Sequence, residues 1–114
     1  MQFQFNSDHT VMGTENVAER IEAMMRDKVA RFEDRLTRLE VHVRDVNGAK
    51  HGADDKECTI EARPRGGKPI GVHGKADKVD DAARKAANTL AQRLERHFGK
   101  SEKHKHDARP DKVM

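Results

Sequence analysis

The side chains able to do chemistry in this chain of 114 residues fall into three groups. The first is basic. Arg26, Lys28, Arg31 and Arg35 follow one another along one segment, and Lys85, Arg93 and Arg96 along another. Arginine and lysine neutralise phosphates and release counterions, which gives strong affinity with little sequence preference. A-form RNA presents phosphates and 2′-hydroxyls more readily than base edges, so such a surface would read shape. The competing interpretation is two solvated helix faces. Glu19, Glu22, Asp27, Glu33 and Asp34 interleave with the first set of bases as local ion pairs. Lys28 lies near an apolar stripe, where its stem can snorkel. The residues alone leave these two interpretations about level.

The second group alternates with apolar residues: Glu40, His42, Arg44, Thr59, Glu61, Arg63 and His73. His42, His73 and Glu61 have the donor atoms to ligate a metal or move a proton. A strand with period 2 scatters such residues anyway, so a ladder of cross-strand charge pairs on a wet face is the preferred interpretation. That face can also take a partner protein or a second copy of the chain. The third group is His97 with His104 and His106, whose spacing can capture a metal adventitiously. An inert or weakly phosphate-contacting tail explains it more simply.

Cys58 is the only cysteine. It excludes an intramolecular disulfide and a multi-cysteine zinc site. It falls on the inward side of its strand, as a small core residue does. Gly66-Gly67 is a turn with no helix start close behind it, so it makes no phosphate loop. The residues therefore predict no catalytic group, no metal, no cofactor and no small-molecule substrate.

Composition sets the wider bounds. Hydrophobic residues are 34% and charged residues 38%, with a formal net charge of +3. The excess permits a polyanionic partner without requiring one. Trp and Tyr are absent, and Phe3, Phe5, Phe32 and Phe98 are the only rings outside histidine. This argues against an aromatic-lined pocket and against reading single-stranded RNA by stacking on aromatics. The N-terminus lacks a basic start and apolar run, and no apolar stretch approaches the ~20 residues of a membrane span. A cytoplasmic protein without membrane contact is expected.

The elements that must position these groups follow from periodicity. Residues 2–6 alternate, with Phe3 and Phe5 on one side, as a half-buried strand does. Thr14 can cap a helix from about 15 to 36, whose stripe is Val17, Ile21, Met24, Met25, Phe32 and Leu36, with Val29 on its flank. Leu39, Val41 and Val43 mark a second strand. A polar loop runs from about Asn47 to Lys56. Cys58, Ile60 and Ala62 mark a third strand, joined through Pro64-Arg65-Gly66-Gly67 to a short fourth with Ile70 and Val72 inward. Asp77 is a plausible cap for a last helix with the stripe Val79, Ala83, Ala86, Leu90, Leu94 and Phe98, ended by Gly99. The order β-α-β-β-β-α, with one apolar face per strand, predicts an α+β fold. It is a two-layer α/β sandwich, a four-stranded sheet with two helices on one face, laid out like a double-stranded-RNA-binding domain. Residues 1–99 form the domain, and 100–114 are expected to be a flexible polar tail.

With these elements in place, the chain resembles the ribosome hibernation-promoting factor family, also called the ribosome-associated inhibitor or S30AE family, over residues 1–98. Lys28-Val29-Ala30-Arg31-Phe32-Glu33 is similar to that family's Lys-apolar-x-basic-apolar-Glu pattern. Leu90-Ala91-Gln92-Arg93-Leu94-Glu95-Arg96-His97 is similar to its ending, with Gln92-Arg93 in swapped order. Glu40-Val41-His42, Asp45, Asn47-Gly48, Asp55-Lys56 before Cys58, Glu61-Ala62-Arg63 and Pro69-Ile70 resemble its short, single-domain branch. The resemblance implies a steric factor, a monomer or weak dimer, that binds ribosomal RNA of the small subunit. It would occupy the channel used by tRNA and mRNA in stationary phase or under stress. It also implies that a domain for pairing ribosomes is lacking. It tips the basic positions toward RNA contact. Two alternatives stand beside it: a protein-interaction module using the open sheet face, and a diverged RNA-binding domain with another target.

Overall fold

The computed structural model describes residues 1–7, 16–45 and 56–107, with the side chains of 1–7, 16–45 and 56–99. The elements are β1 (Gln2–Ser7), α1 (Val17–Lys28), a 3₁₀ segment (Ala30–Arg35), β2 (Leu36–Asp45), β3 (Lys56–Pro64), β4 (Ile70–Ala76) and α2 (Val79–Asp107). The strands form one sheet in the order β1-β2-β3-β4. β1 pairs with β2 in parallel, which requires the crossover that α1 supplies, and the other two pairings are antiparallel. The expected α+β sandwich is the observed one.

Register explains the two faces. Phe5, Val41, Ile60 and Val72 lie side by side across the four strands, flanked by the row Phe3, Leu39, Ala62 and Ile70. These rows face the helices. Ile21 and Met25 of α1 and Leu90 and Leu94 of α2 close the core over them, all essentially inaccessible. Ala82, Ala83, Ala86 and Ala87 are also fully buried, so the predicted stripe of α2 is widened by small residues. Their small side chains let the helix lie close on β4. Gly74 takes this furthest: a Cβ there would stand 2.7 Å from Ala86 N and 2.8 Å from Ala82 O.

The structure departs from the periodic expectation at several points. The helix predicted over 15–36 spans Val17–Lys28 and then tightens. Val29 leaves helical geometry at φ −108° and ψ 16°, and Phe32 N–H donates to Val29 O at 2.8 Å, a 3₁₀ bond. The 3₁₀ spacing keeps both Val29 and Phe32 on the buried side, so the apolar stripe continues through a break it does not reveal. Asn16, in the left-handed region at φ 71°, holds the cap position; Thr14 lies outside the described residues.

β2 begins at Leu36 rather than near Leu39, because the register shifts between Leu36 and Arg38. Such a shift puts Leu36 and Leu39, three residues apart, on the same buried side. β4 is longer than expected and runs through Gly74 to Ala76. Finally, Gly99 does not end the last helix, which continues to Asp107. A glycine inside a helix costs about 1 kcal/mol but stops it only where it takes a left-handed conformation. Among the described glycines only Gly66 has a positive φ, at 71°. The helix thus enters the segment expected to be a tail, and residues 108–114 lie outside the described residues, as do most of both long loops. The first turn of α2 closes from Ala82 N–H to Lys78 O, so Asp77 stands one residue ahead of the cap position.

Candidate nucleic-acid interface

The predicted basic residues do not share one continuous face. Arg26 turns toward the start of α1 and its own neighbours, bonding Glu22 at 2.8 Å and Glu33 at 3.3 Å, with its guanidinium over the Phe3 ring. Lys28 is half-buried at the end of α1. Lys85 lies on the opposite flank, where its ammonium donates to Lys75 O at the free edge of β4 over 3.0 Å. Local carboxylates thus occupy Arg26, and Lys85 guards a strand edge.

Arg31, Arg35, Arg93 and Arg96 instead gather around residues 93–98 of α2. Phe32 and Phe98 stack with ring centroids 5.6 Å apart. Arg31 lies over Phe32 at 4.8 Å and Arg35 over Phe98 at 5.1 Å. His97 meets the edge of Phe98 at 4.8 Å. Arg93 and Arg96 line, with His97 and Ile70, a shallow recess of about 420 Å³. The carboxylates among the described side chains of α2 are already engaged: Asp80 with Arg20 at 3.2 Å, Asp81 with Arg84 at 3.1 Å and Glu95 with Arg31 at 2.8 Å. Arg93 and Arg96 are therefore left without an acidic partner among the described residues.

The structure adds two bases that the periodic pattern does not single out: Arg65, read as part of a turn, and Lys68 just after it. Both are exposed. Arg65 N–H donates to Arg35 O at 2.9 Å and its Nε to Asp34 O at 2.8 Å, which fastens the β3–β4 turn to the 3₁₀ segment. The same turn passes beside His97, whose Nε2 is 3.9 Å from the Cβ position of Gly67. Gly66 makes the approach feasible, since its φ of 71° suits glycine without strain. A basic residue on each side of Gly-Gly was the available signal; its meaning depended on which helix the turn met. At this end Arg31, Arg35, Arg65, Lys68, Arg93 and Arg96 outweigh Asp34 and Glu95.

The outer sheet face is different in kind. Arg38 stands opposite Arg63, and Glu40 opposite Glu61. Each arginine turns to the glutamate two residues along its own strand, Arg38 to Glu40 at 2.6 Å and Arg63 to Glu61 at 3.5 Å. Arg44 pairs with Glu57 at 2.9 Å across the strands. The face neutralises itself. His42 and His73 flank Thr59 from either side on one row. No cluster of three potential metal ligands occurs among the described residues.

Cys58 is fully buried, and desolvation, assisted by the charge of Glu57, pushes its thiol up to about 12. The thiol stays protonated and inert in the folded chain. Thiol reagents at pH 8 are expected to label Cys58 only when denaturant is added; rapid labelling of the native protein would contradict its burial. Because the folded thiol titrates higher than the unfolded one, this contribution to stability is full below about pH 9. It is lost as pH rises toward 12.

Fold and site together define the class: a small α+β domain with a self-neutralised sheet face, two helices on the other face and a cationic end. The chain belongs to the sigma 54 modulation protein / S30EA ribosomal protein family, whose model matches residues 7–102. This is a family of ribosome-associated factors and not a known enzyme family. Among solved structures, the chain is similar to the N-terminal domain of Thermus thermophilus Protein Y, with a TM-score of 0.66 and 15% identity over 85% of this chain and 99% of that one. It is also similar to a ribosomal subunit interface protein from Coxiella burnetii, with a TM-score of 0.65 and 13% identity over 87% of this chain and 99% of that one. At such identities the likeness concerns the fold. No curated protein sequence matches the chain significantly. No helix among the described residues is long and apolar enough to cross a membrane.

Proposed function

We propose that this chain is a ribosome hibernation factor. It binds ribosomal RNA of the small subunit through its cationic end, fills the channel used by tRNA and mRNA, and so blocks translation sterically in the cytoplasm. The observation that carries the proposal is the set of bases around residues 93–98 of α2. Arg93 and Arg96 are exposed and lack acidic partners among the described residues, and Gly67 of the turn that carries Arg65 and Lys68 lies beside His97. Membership of a ribosome-associated family supports the choice of polyanion. The mutual pairing of charges on the sheet face weighs against that face as the RNA surface. The mechanism needs only shape and charge: a rigid domain occupies phosphate-lined space and excludes other ligands, with no covalent step.

The test is co-sedimentation of the protein with ribosomes and with separated subunits across a range of salt. Saturable binding to the small subunit that weakens steeply as salt rises is expected. Absence of binding at low salt would refute the proposal.

A further inference from the structure

We infer that the cluster of Phe32, Phe98, Arg31 and Arg35 receives an unpaired nucleobase, so that the RNA taken at the cationic end carries a bulged or single-stranded nucleotide there. The inference rests on the RNA-binding reading and names the form of RNA.

An unpaired base needs a flat, weakly hydrated surface to stack on, and a guanidinium plane serves as well as an aromatic ring. The rings of this chain are not themselves open: Phe32 is 7% exposed and Phe98 half-buried. They act from below. Phe32 carries Arg31 and Phe98 carries Arg35, and the two rings stack on each other, so the four groups form one cluster with a guanidinium over each ring. Arg31 is fixed further by Glu95 at 2.8 Å, yet 63% of its side chain remains accessible.

That ion pair decides between two uses of Arg31. Its fork already faces a carboxylate, so its charge is offset locally and it is a poor phosphate ligand. What it still offers is the outer side of its plane. Arg93 and Arg96, on the same stretch of α2 as Glu95, stand nearby for the phosphates. A stacking surface beside a cationic track is the arrangement that holds single-stranded nucleic acid.

The experiment compares two RNA hairpins by fluorescence anisotropy with the whole chain, each closed by a non-nucleotide linker in place of a loop: a fully paired one, and the same hairpin with one bulged 2-aminopurine. The native protein is expected to bind the bulged hairpin roughly tenfold more tightly, with a change in 2-aminopurine emission as the base stacks. The double variant Arg31→Lys/Arg35→Lys keeps both charges and removes both planes. It is expected to lose the preference and the emission change, the preference being read as the ratio of the two affinities within each protein, whatever the affinity of the variant for the paired hairpin. Equal binding of both hairpins by the native protein, or an undiminished preference in the double variant, would overturn the inference while leaving RNA binding in place. Binding of neither hairpin at low salt would overturn RNA recognition itself, and the inference with it.

Discussion

Replacing Arg93 and Arg96 with glutamate is expected to weaken binding to the small ribosomal subunit by roughly 100-fold or more. The size follows from their setting. A hydrogen bond to a charged group contributes about 1.5–3 kcal/mol, and two are lost here. Each loss also becomes a repulsion. Because Asp80, Asp81 and Glu95 are already engaged, neither arginine has a described carboxylate competing for it. Every phosphate contact contributes ~0.7–0.9 to the slope of log affinity against log salt, so the slope should flatten by about 1.5. Both side chains are exposed, and the fold should survive the change. Charge reversal at Arg63, held by Glu61 on the sheet face, serves as the control and should change affinity less than threefold or so. Co-sedimentation over a salt series measures both. Equal losses in the two variants would move the interface to the sheet.

The second large effect is structural. Gly74→Leu is expected to abolish the folded state, and Gly74→Ala to cost about 1–3 kcal/mol, on the order of 10 °C in Tm. Gly74 lies on the buried side of β4, directly under the first turns of α2. An added Cβ would meet Ala86 N at 2.7 Å, Ala82 O at 2.8 Å and the Cβ of Lys85 at 2.9 Å. Two of these atoms are backbone and none is the free end of a flexible side chain, so relief requires moving the helix off the sheet. Gly71 is the internal control. It lies on the same strand facing outward, with nothing within 4 Å of a Cβ, and its replacement by alanine should be nearly neutral. Thermal and denaturant unfolding of the three variants distinguishes the cases. A native-like Gly74→Leu would mean that α2 does not press on β4 as described.

The two predictions differ in how far the sequence anticipates them. Arg93 and Arg96 were legible as bases on the outward side of an amphipathic helix, because the 3.6-residue period separates Leu90 and Leu94 from their polar neighbours. Gly74 was not. In the sequence it resembles the end of a short strand, and only the approach of α2 gives it a reason. Gly99 shows the converse: glycine chemistry suggested a helix end, yet the helix runs on to Asp107.

What the sequence determined alone is the set of faces. Alternation in Phe3-Phe5, Leu39-Val41-Val43 and Cys58-Ile60-Ala62, and the helical stripes, assign each residue to core or solvent, because backbone geometry of a strand or helix imposes the period locally. That suffices for an α+β sandwich of this element order. The tertiary structure decided which exposed residues meet. It broke the first helix at Val29 and shifted the register at Leu36, where buried spacing is preserved and the pattern gives no sign. It tied Arg26 to Glu22 and Lys85 to Lys75, fastened Arg65 to the 3₁₀ segment, and brought Gly67 of the same turn beside His97 of α2. Period fixes the direction of a side chain within its own element. Contact between elements depends on how their buried faces pack, and packing is a property of the whole core.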